Sequence, residues 1–227
     1  MLEPSPTRPA RLDAALVRPP VTASREEEPG PRVCLAAPGF LTKTGRLPPA
    51  PPASLTPAAF GLALVAAARA QTGEFVIYND KYRRIAYPMS DVAPLYGVCT
   101  DVVIRAYRAL GIDLQQMVHE SGFSGTGTSI GHLRTETLRR YFARFGHELP
   151  PSTIGEDYRP GDIVTYNRPQ NRHSKSHIVI VSDIVAPSGR HMIIDNRGGG
   201  PQAEDALFVD EITPGITSLW QPPAKPP

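Results

Sequence analysis

Cysteine is nearly missing from this chain, with two in 227 residues. A disulfide-stapled secreted scaffold carries a far higher density, so the fold must rest on an apolar core, although one bridge, Cys34 to Cys99, fits the count. An excess of charge of one sign is missing too. Lysine and arginine exceed the acids by 24 − 22 = 2, which leaves no electrostatic footprint for nucleic acid or an anionic membrane. No apolar run approaches the roughly 20 residues of a membrane-spanning helix. The start, MLEPSPTRPARLDAALVRPP, lacks the apolar core of a secretory signal. FGLALVAAARA, Phe60 to Ala70, with Lys43 and Arg46 upstream, fits an export signal behind a misassigned start. It fits equally the first helix of a domain, with Thr56 as N-cap, Pro57 at the first helical position and Gly73 closing it.

Proline is abundant and unevenly placed. Half of the 26 prolines lie at or before Pro57, in PSP, RPP, EEEPGPR and PPAPPAS stretches that favour extended or disordered chain. Residues 1–55 therefore read as a Pro-rich disordered tail or linker, 56–221 as one folded domain, and 222–227 as a C-terminal tail. Tyr78, Tyr82 and Tyr87 follow the first helix in a loop-rich approach broken by Pro88 and Pro94. After Cys99, Val102, Val103, Ala106, Tyr107 and Leu110 form one apolar helical stripe, capped by Gly111. Ser121 to Gly131 is a glycine-rich loop without the spacing of a phosphate cradle. Leu138, Tyr141, Phe142 and Phe145 mark a second core-packed helix. In the final third the period changes to two: PGDIVTYN, HIVIVSDIV and RHMIID predict three short antiparallel strands. Helices followed by a strand meander predict an α+β domain with helices packed on one face of a small antiparallel sheet.

Cys99 sits where a helix begins, and unpaired backbone N–H groups there favour a thiolate. Gly97 lets backbone or substrate approach the sulfur, and the Cys99 amide is placed to donate to an oxyanion. A thiolate nucleophile still needs an imidazole. His177 opens a strand, which would hold its ring rigidly. Hairpin pairing with the next strand, where His191, Ile193 and Asp195 share a face, would bring Asp195 alongside to orient it. The plain alternatives are a buried structural cysteine, a solvated histidine cap and a turn at Asp195-Asn196. His173 and His177 lack an HExxH or CxxC partner, so neither a metal nor an organic cofactor is expected. His119, His132, His147 and His191 read as ordinary surface or helix-end residues.

The segments YGVCTDVVIRAYRALGIDLQQMVHE, IGHLRTETLRRYFARFGHEL, YRPGDIVTYN, HIVIVSD and MIIDNRGGGPQAEDALF resemble, in order, the bacterial domain-of-unknown-function family 1287. That family is similar to the NlpC-type peptidoglycan peptidases of the papain-like cysteine peptidase superfamily. The resemblance implies a papain-like fold over about residues 60–220, a nucleophile at Cys99, a general base at His177 and a third polar group at Asp195 or Asn196. Here Asp195-Asn196 stands where the family usually has His-Asn, and the acidic residue that usually follows the HE pair is missing. The expected activity is a cysteine peptidase or amidase cleaving an amide in peptidoglycan stem peptides, with Tyr82 and Tyr96 lining the substrate groove. An acyltransferase or deamidase using the same Cys/His pair, or a non-catalytic wall-binding module, are the alternatives. A wall substrate implies a periplasmic or secreted protein, exported by specialised machinery or from a different start, with secretion machinery or an immunity protein as further partners. Oligomeric state is not legible.

Overall fold

The computed structural model describes residues 55–125, 130–171 and 174–213, and the backbone of 216–218. The Pro-rich segment before Leu55, with Cys34, and the tail 222–227 lie outside the described residues, as does part of the Ser121 to Gly131 loop.

Helix α1 spans Pro57–Arg69. Thr56 caps it, its Oγ1 accepting from the Ala59 amide at 3.3 Å, and Pro57 takes a position whose N–H would have had no partner. Phe60, Leu64, Val65 and Ala68 recur at helical spacing and are buried. The helix ends at Ala70, and Gly73, at φ 85°, makes the turn three residues later than a cap would. Helix α2, Cys99–Ala109, runs into Gly111, whose φ of 77° lets the Gly111 and Ile112 amides fold back onto the carbonyls of Arg108 and Tyr107. A short helix that the sequence pattern did not signal, α3, follows at Leu114–Glu120, capped by the Asp113 carboxylate. In α4, Thr135–Phe145, Leu138, Tyr141 and Phe142 are buried. Phe145, read as core, is 47% exposed because it ends the helix, though its ring lies 5.0 Å from that of Tyr141.

Two strands, β1 (Ile77–Tyr78) and β2 (Tyr96–Gly97), pair in parallel and close a loop between them. The main sheet contains β3 (His147–Leu149), β4 (Ile163–Asn167), β5 (Ser176–Val185), β6 (His191–Asn196), β7 (Pro201–Glu204), β8 (Glu211–Ile212) and β9 (Ile216–Ser218). Its order is β3-β9-β4-β5-β6-β7, with β8 also on β4, and every pairing is antiparallel. The three expected strands are the centre of this larger sheet; the additional ones are too short to show a period.

Alternation along β5 separates two cores. Ile178 and Ile180, with Ile163 and Ile194, pack under the helices in a cluster containing Leu64, Val103, Tyr107 and Phe142. Val179 and Val181, with Val164, Tyr166 and Ile193, pack on the other side against Tyr158 and Leu207. Both faces of the central strands are covered, which is why HIVIV carries no polar alternation. The architecture is α+β, helices on an antiparallel sheet.

Candidate active site

The chain enters α2 through an extended Val98, making Cys99 the first helical residue. Asp101, two positions into the helix, accepts the Val98 amide at 2.7 Å and donates its own amide to the Val98 carbonyl at 3.1 Å. This reciprocal cap fixes the turn and leaves the Cys99 amide, like any amide in a helix's first turn, without an intrahelical carbonyl. Gly97 is needed for closeness: a Cβ there would lie 3.1 Å from the Arg105 guanidinium and 3.4 Å from the Asp101 Cβ. Cys99 carries a free thiol and is only 4% exposed, at the base of a hollow of about 150 Å³. Tyr78, Lys81, Tyr82, Val98, Leu133 and Thr135 are among the residues that line it. The β1–β2 pair brings Tyr78 to this rim, and Arg105 and Arg108 of α2 pull in the far end of the loop through Asp91, at 3.0 and 2.7 Å.

His177 stands near the start of β5, directly across from Tyr166. Its Nε2 meets Asp195 Oδ2 at 2.6 Å, with both side chains almost fully buried. With Nε2 engaged, Nδ1 is the ring nitrogen left free of Asp195, and the imidazole and the Cys99 sulfur act on each other's charge. Burial alone would raise the thiol pKa, but the neighbouring imidazolium, the Ile178 amide and the Thr135 hydroxyl 4.0 Å away bring it below its ordinary value. Burial alone would likewise lower the imidazole; the thiolate and Asp195 push it up to about 9. Both shifts favour the thiolate and imidazolium forms over the neutral pair.

The other expected site residues are distributed differently. Asn196 does not touch the ring: its Nδ2 donates to the Gly97 carbonyl at 3.3 Å and its Oδ1 accepts the Gly198 amide at 2.9 Å. It clamps the turn before the cysteine. Tyr82 lines the hollow, half exposed, with the Arg134 guanidinium 4.8 Å from its ring centre. Tyr96 is not among the lining residues; it pairs with Ile77, and its carbonyl accepts Arg105 at 2.8 Å. His132, read as surface, is buried, and burial beside Arg108 lowers its pKa to about 4. His173 lies outside the described residues. Three contributors escaped the sequence pattern. Thr135 is far away in the chain, Arg197 hides in an apparent turn, and Asp101 had a usable signal, an acid at the third position of a helix.

No helix among the described residues is long and apolar enough to cross a membrane. In fold, the chain is similar to NlpC1 from Trichomonas vaginalis, with a TM-score of 0.42 and 14% identity over 71% of this chain and 44% of that one. It thus spans less than half of the NlpC1 chain. It is also similar to the P60 domain of an antigen from M. avium subspecies paratuberculosis, with a TM-score of 0.40 and 11% identity over 71% of this chain and 96% of that one. In sequence it is 36% identical over 159 residues to the uncharacterized protein YijF of Escherichia coli strain K12, covering 65% of this chain and 76% of YijF. Residues 65–215 match the domain of unknown function DUF1287, and the chain belongs to that family.

Proposed function

We propose that this protein is a papain-like cysteine hydrolase that cleaves an amide bond in peptidoglycan stem peptides. The observation that carries the chemistry is the relay of Cys99, His177 and Asp195, with its 2.6 Å link between imidazole and carboxylate. The Cys99 thiolate attacks the scissile carbonyl carbon, and the charge that develops on oxygen is met by the Cys99 amide at the start of α2. Imidazolium at His177 then gives its proton to the departing amine, leaving a thioester on Cys99. Neutral His177 takes a proton from water, the hydroxide attacks the thioester, and the thiolate and imidazolium return. Asp195 keeps the ring aimed and supports its charge in both halves.

The substrate class rests on the motif resemblance, with GVCTDVVIRAYR its most specific piece; the hollow of about 150 Å³ beside the sulfur is where the scissile bond would enter. Tyr82 is a wall of that groove, whereas Tyr96 supports it from behind. A wall substrate places the protein in the periplasm or outside the cell, with the Pro-rich segment as linker. The deciding experiment incubates wild-type and Cys99→Ala protein with purified peptidoglycan and identifies released fragments by mass spectrometry. New amine and carboxyl termini from wild type alone support the proposal; identical fragment patterns from both proteins overturn it.

A further inference from the structure

Behind Asp195 lies a guanidinium that a cysteine, histidine and carboxylate relay does not by itself require. Arg197 has Nε 2.9 Å from Asp195 Oδ2 and 3.1 Å from Glu204 Oε2, and Nη1 donates to Asp210 Oδ2 at 2.9 Å. Arg168 reaches the same Asp210 oxygen at 3.2 Å. Asp195 is fully buried, and the Arg197 side chain is 16% exposed. Asp195 Oδ2 makes the hydrogen bond to His177 and the ion pair to Arg197, whose Nε lies close without a hydrogen-bonding alignment, while Oδ1 has no hydrogen-bond partner.

The surroundings define the electrostatics. From β5 the group facing Asp195 is His177, and beyond it Cys99 at the start of α2. From β4 comes Tyr166, its ring 6.4 Å from that of His177 and 6.0 Å from the Arg197 guanidinium, with Arg168 just past the strand. Gln202 of β7 is the register partner of Asp195, and Glu204 lies two residues on. Asp210 comes from the segment before β8.

His177 alternates between charged and neutral during turnover. In the neutral phase the ring no longer offers Asp195 a full positive charge, and a sealed carboxylate without another cation carries an uncompensated burial cost. Arginine does not lose its proton in proteins. We propose that Arg197 is a positioning residue of the relay: its permanent cation compensates the buried Asp195 charge and keeps that side chain aimed at His177 in every state, and Glu204 and Asp210 hold the guanidinium in place. Its role rests on the hydrolase reading above. The alternative is a purely structural tie joining β6, β7 and the 205–210 segment.

The two roles separate in the pH profile of Cys99 alkylation by iodoacetamide, followed on the full chain by mass spectrometry of the Cys99 peptide. In Arg197→Gln the acid limb of that profile moves up by about 1–2 pH units, and labelling just above the wild-type limb slows about tenfold or more. Arg197→Lys, which keeps the charge, returns the limb most of the way. Asp210→Asn removes an anion from the far side of Arg197 and moves the limb the other way, by less. An unmoved limb in folded Arg197→Gln, a lysine variant displaced as far as the glutamine one, or Arg197→Gln and Asp210→Asn shifts in the same direction each overturn the proposal. Should Arg197→Gln not fold, Asp210→Asn decides: a downward shift supports, an unmoved or upward one overturns. A wild-type thiol unreactive at neutral pH would instead sink the hydrolase reading and this inference with it, whereas a reactive wild type with insensitive variants sinks the inference alone.

Discussion

The two halves of the site are built in different ways. The nucleophile half is local: Gly97, Val98, Cys99 and Asp101 lie within five positions, and their geometry follows from one helix start and its reciprocal cap. The base half is collected from Tyr166, His177, Asp195, Arg197, Glu204 and Asp210, residues from several strands joined by rings and ion pairs. Strand β6 couples the two. Adjacent residues on a strand point to opposite sides, so Asp195 serves the imidazole while its neighbour Asn196 reaches the Gly97 carbonyl ahead of the cysteine. Two adjacent residues of one strand thus hold the ring and the turn that precedes the thiol. The lesson is that the sulfur's placement is cheap in sequence and the imidazole's is not, because a ring held between a thiolate and a carboxylate needs a buried charge network behind it.

The largest effects should come from removing either half outright. On the proposed hydrolase reading Cys99→Ala should abolish hydrolysis, and His177→Ala should leave Cys99 an ordinary buried thiol whose alkylation near neutral pH falls by about 100-fold or more. If His177→Ala labelled as fast as wild type, the halves would not be electrostatically coupled at all. Asp195→Asn is next. It removes the charge that supports imidazolium and leaves only a neutral amide oxygen, or an amide N–H that would misorient the ring, so on the proposed hydrolase reading turnover should fall about 100- to 10,000-fold. The alkaline limb of kcat/KM, expected from the raised His177 value near 9, should move down. The sign follows from the raised value: His177 keeps its proton below that limit and loses it as pH rises through it. An Asp195→Asn profile with the same alkaline limb would show that Asp195 only fills space.

The same division explains what was legible in the sequence. Helices α1, α2 and α4 announced themselves through apolar spacing and end signals such as Thr56-Pro57 and Gly111, because these act within a turn or two of the chain. The central strands were equally plain as β-branched runs, and the sharing of a face by Val179 and Val181, and by Ile193 and Asp195, followed from period two. Helix α3 and the two- and three-residue strands were invisible since so few residues carry no periodic signal. The third site position stayed undecided between Asp195 and Asn196 for a physical reason. Which side of β6 faces His177 depends on the strand's orientation in the folded sheet, and a step of one residue reverses it. His132 was misread because its burial, in a short turn packed against α3 and α4, arises from tertiary packing that its neighbours in sequence do not encode.

Asn196→Ala tests the coupling strand directly. Its fully buried amide makes two hydrogen bonds, to Gly97 and Gly198, so losing it should cost about 1–3 kcal/mol in chemical denaturation. Hydrolysis should drop by roughly tenfold as the cysteine turn loosens, with the alkaline limb unchanged because Asp195 still holds the ring. A shift of that limb in Asn196→Ala would blur the division between the halves.

The smallest effect is expected inside the nucleophile half, at Asp101. Burial raises this carboxyl from 3.8 to about 6 despite the Val98 amide and Arg105, so its charged form opposes folding. The penalty is fully present above about pH 6, shrinks as pH falls through that value, and vanishes below the unfolded value near 4. Asp101→Asn keeps an acceptor for the Val98 amide and removes the charge. It should therefore gain about 1–3 kcal/mol at pH 8, with the gain disappearing by pH 4, measured by denaturant unfolding at both values. Cys99 alkylation should be slightly faster, since an anion beside the thiolate has gone. If Asp101→Asn were instead destabilised at pH 8, the carboxylate charge itself would be holding the turn, and the nucleophile half would depend on ion pairing as much as the base half does.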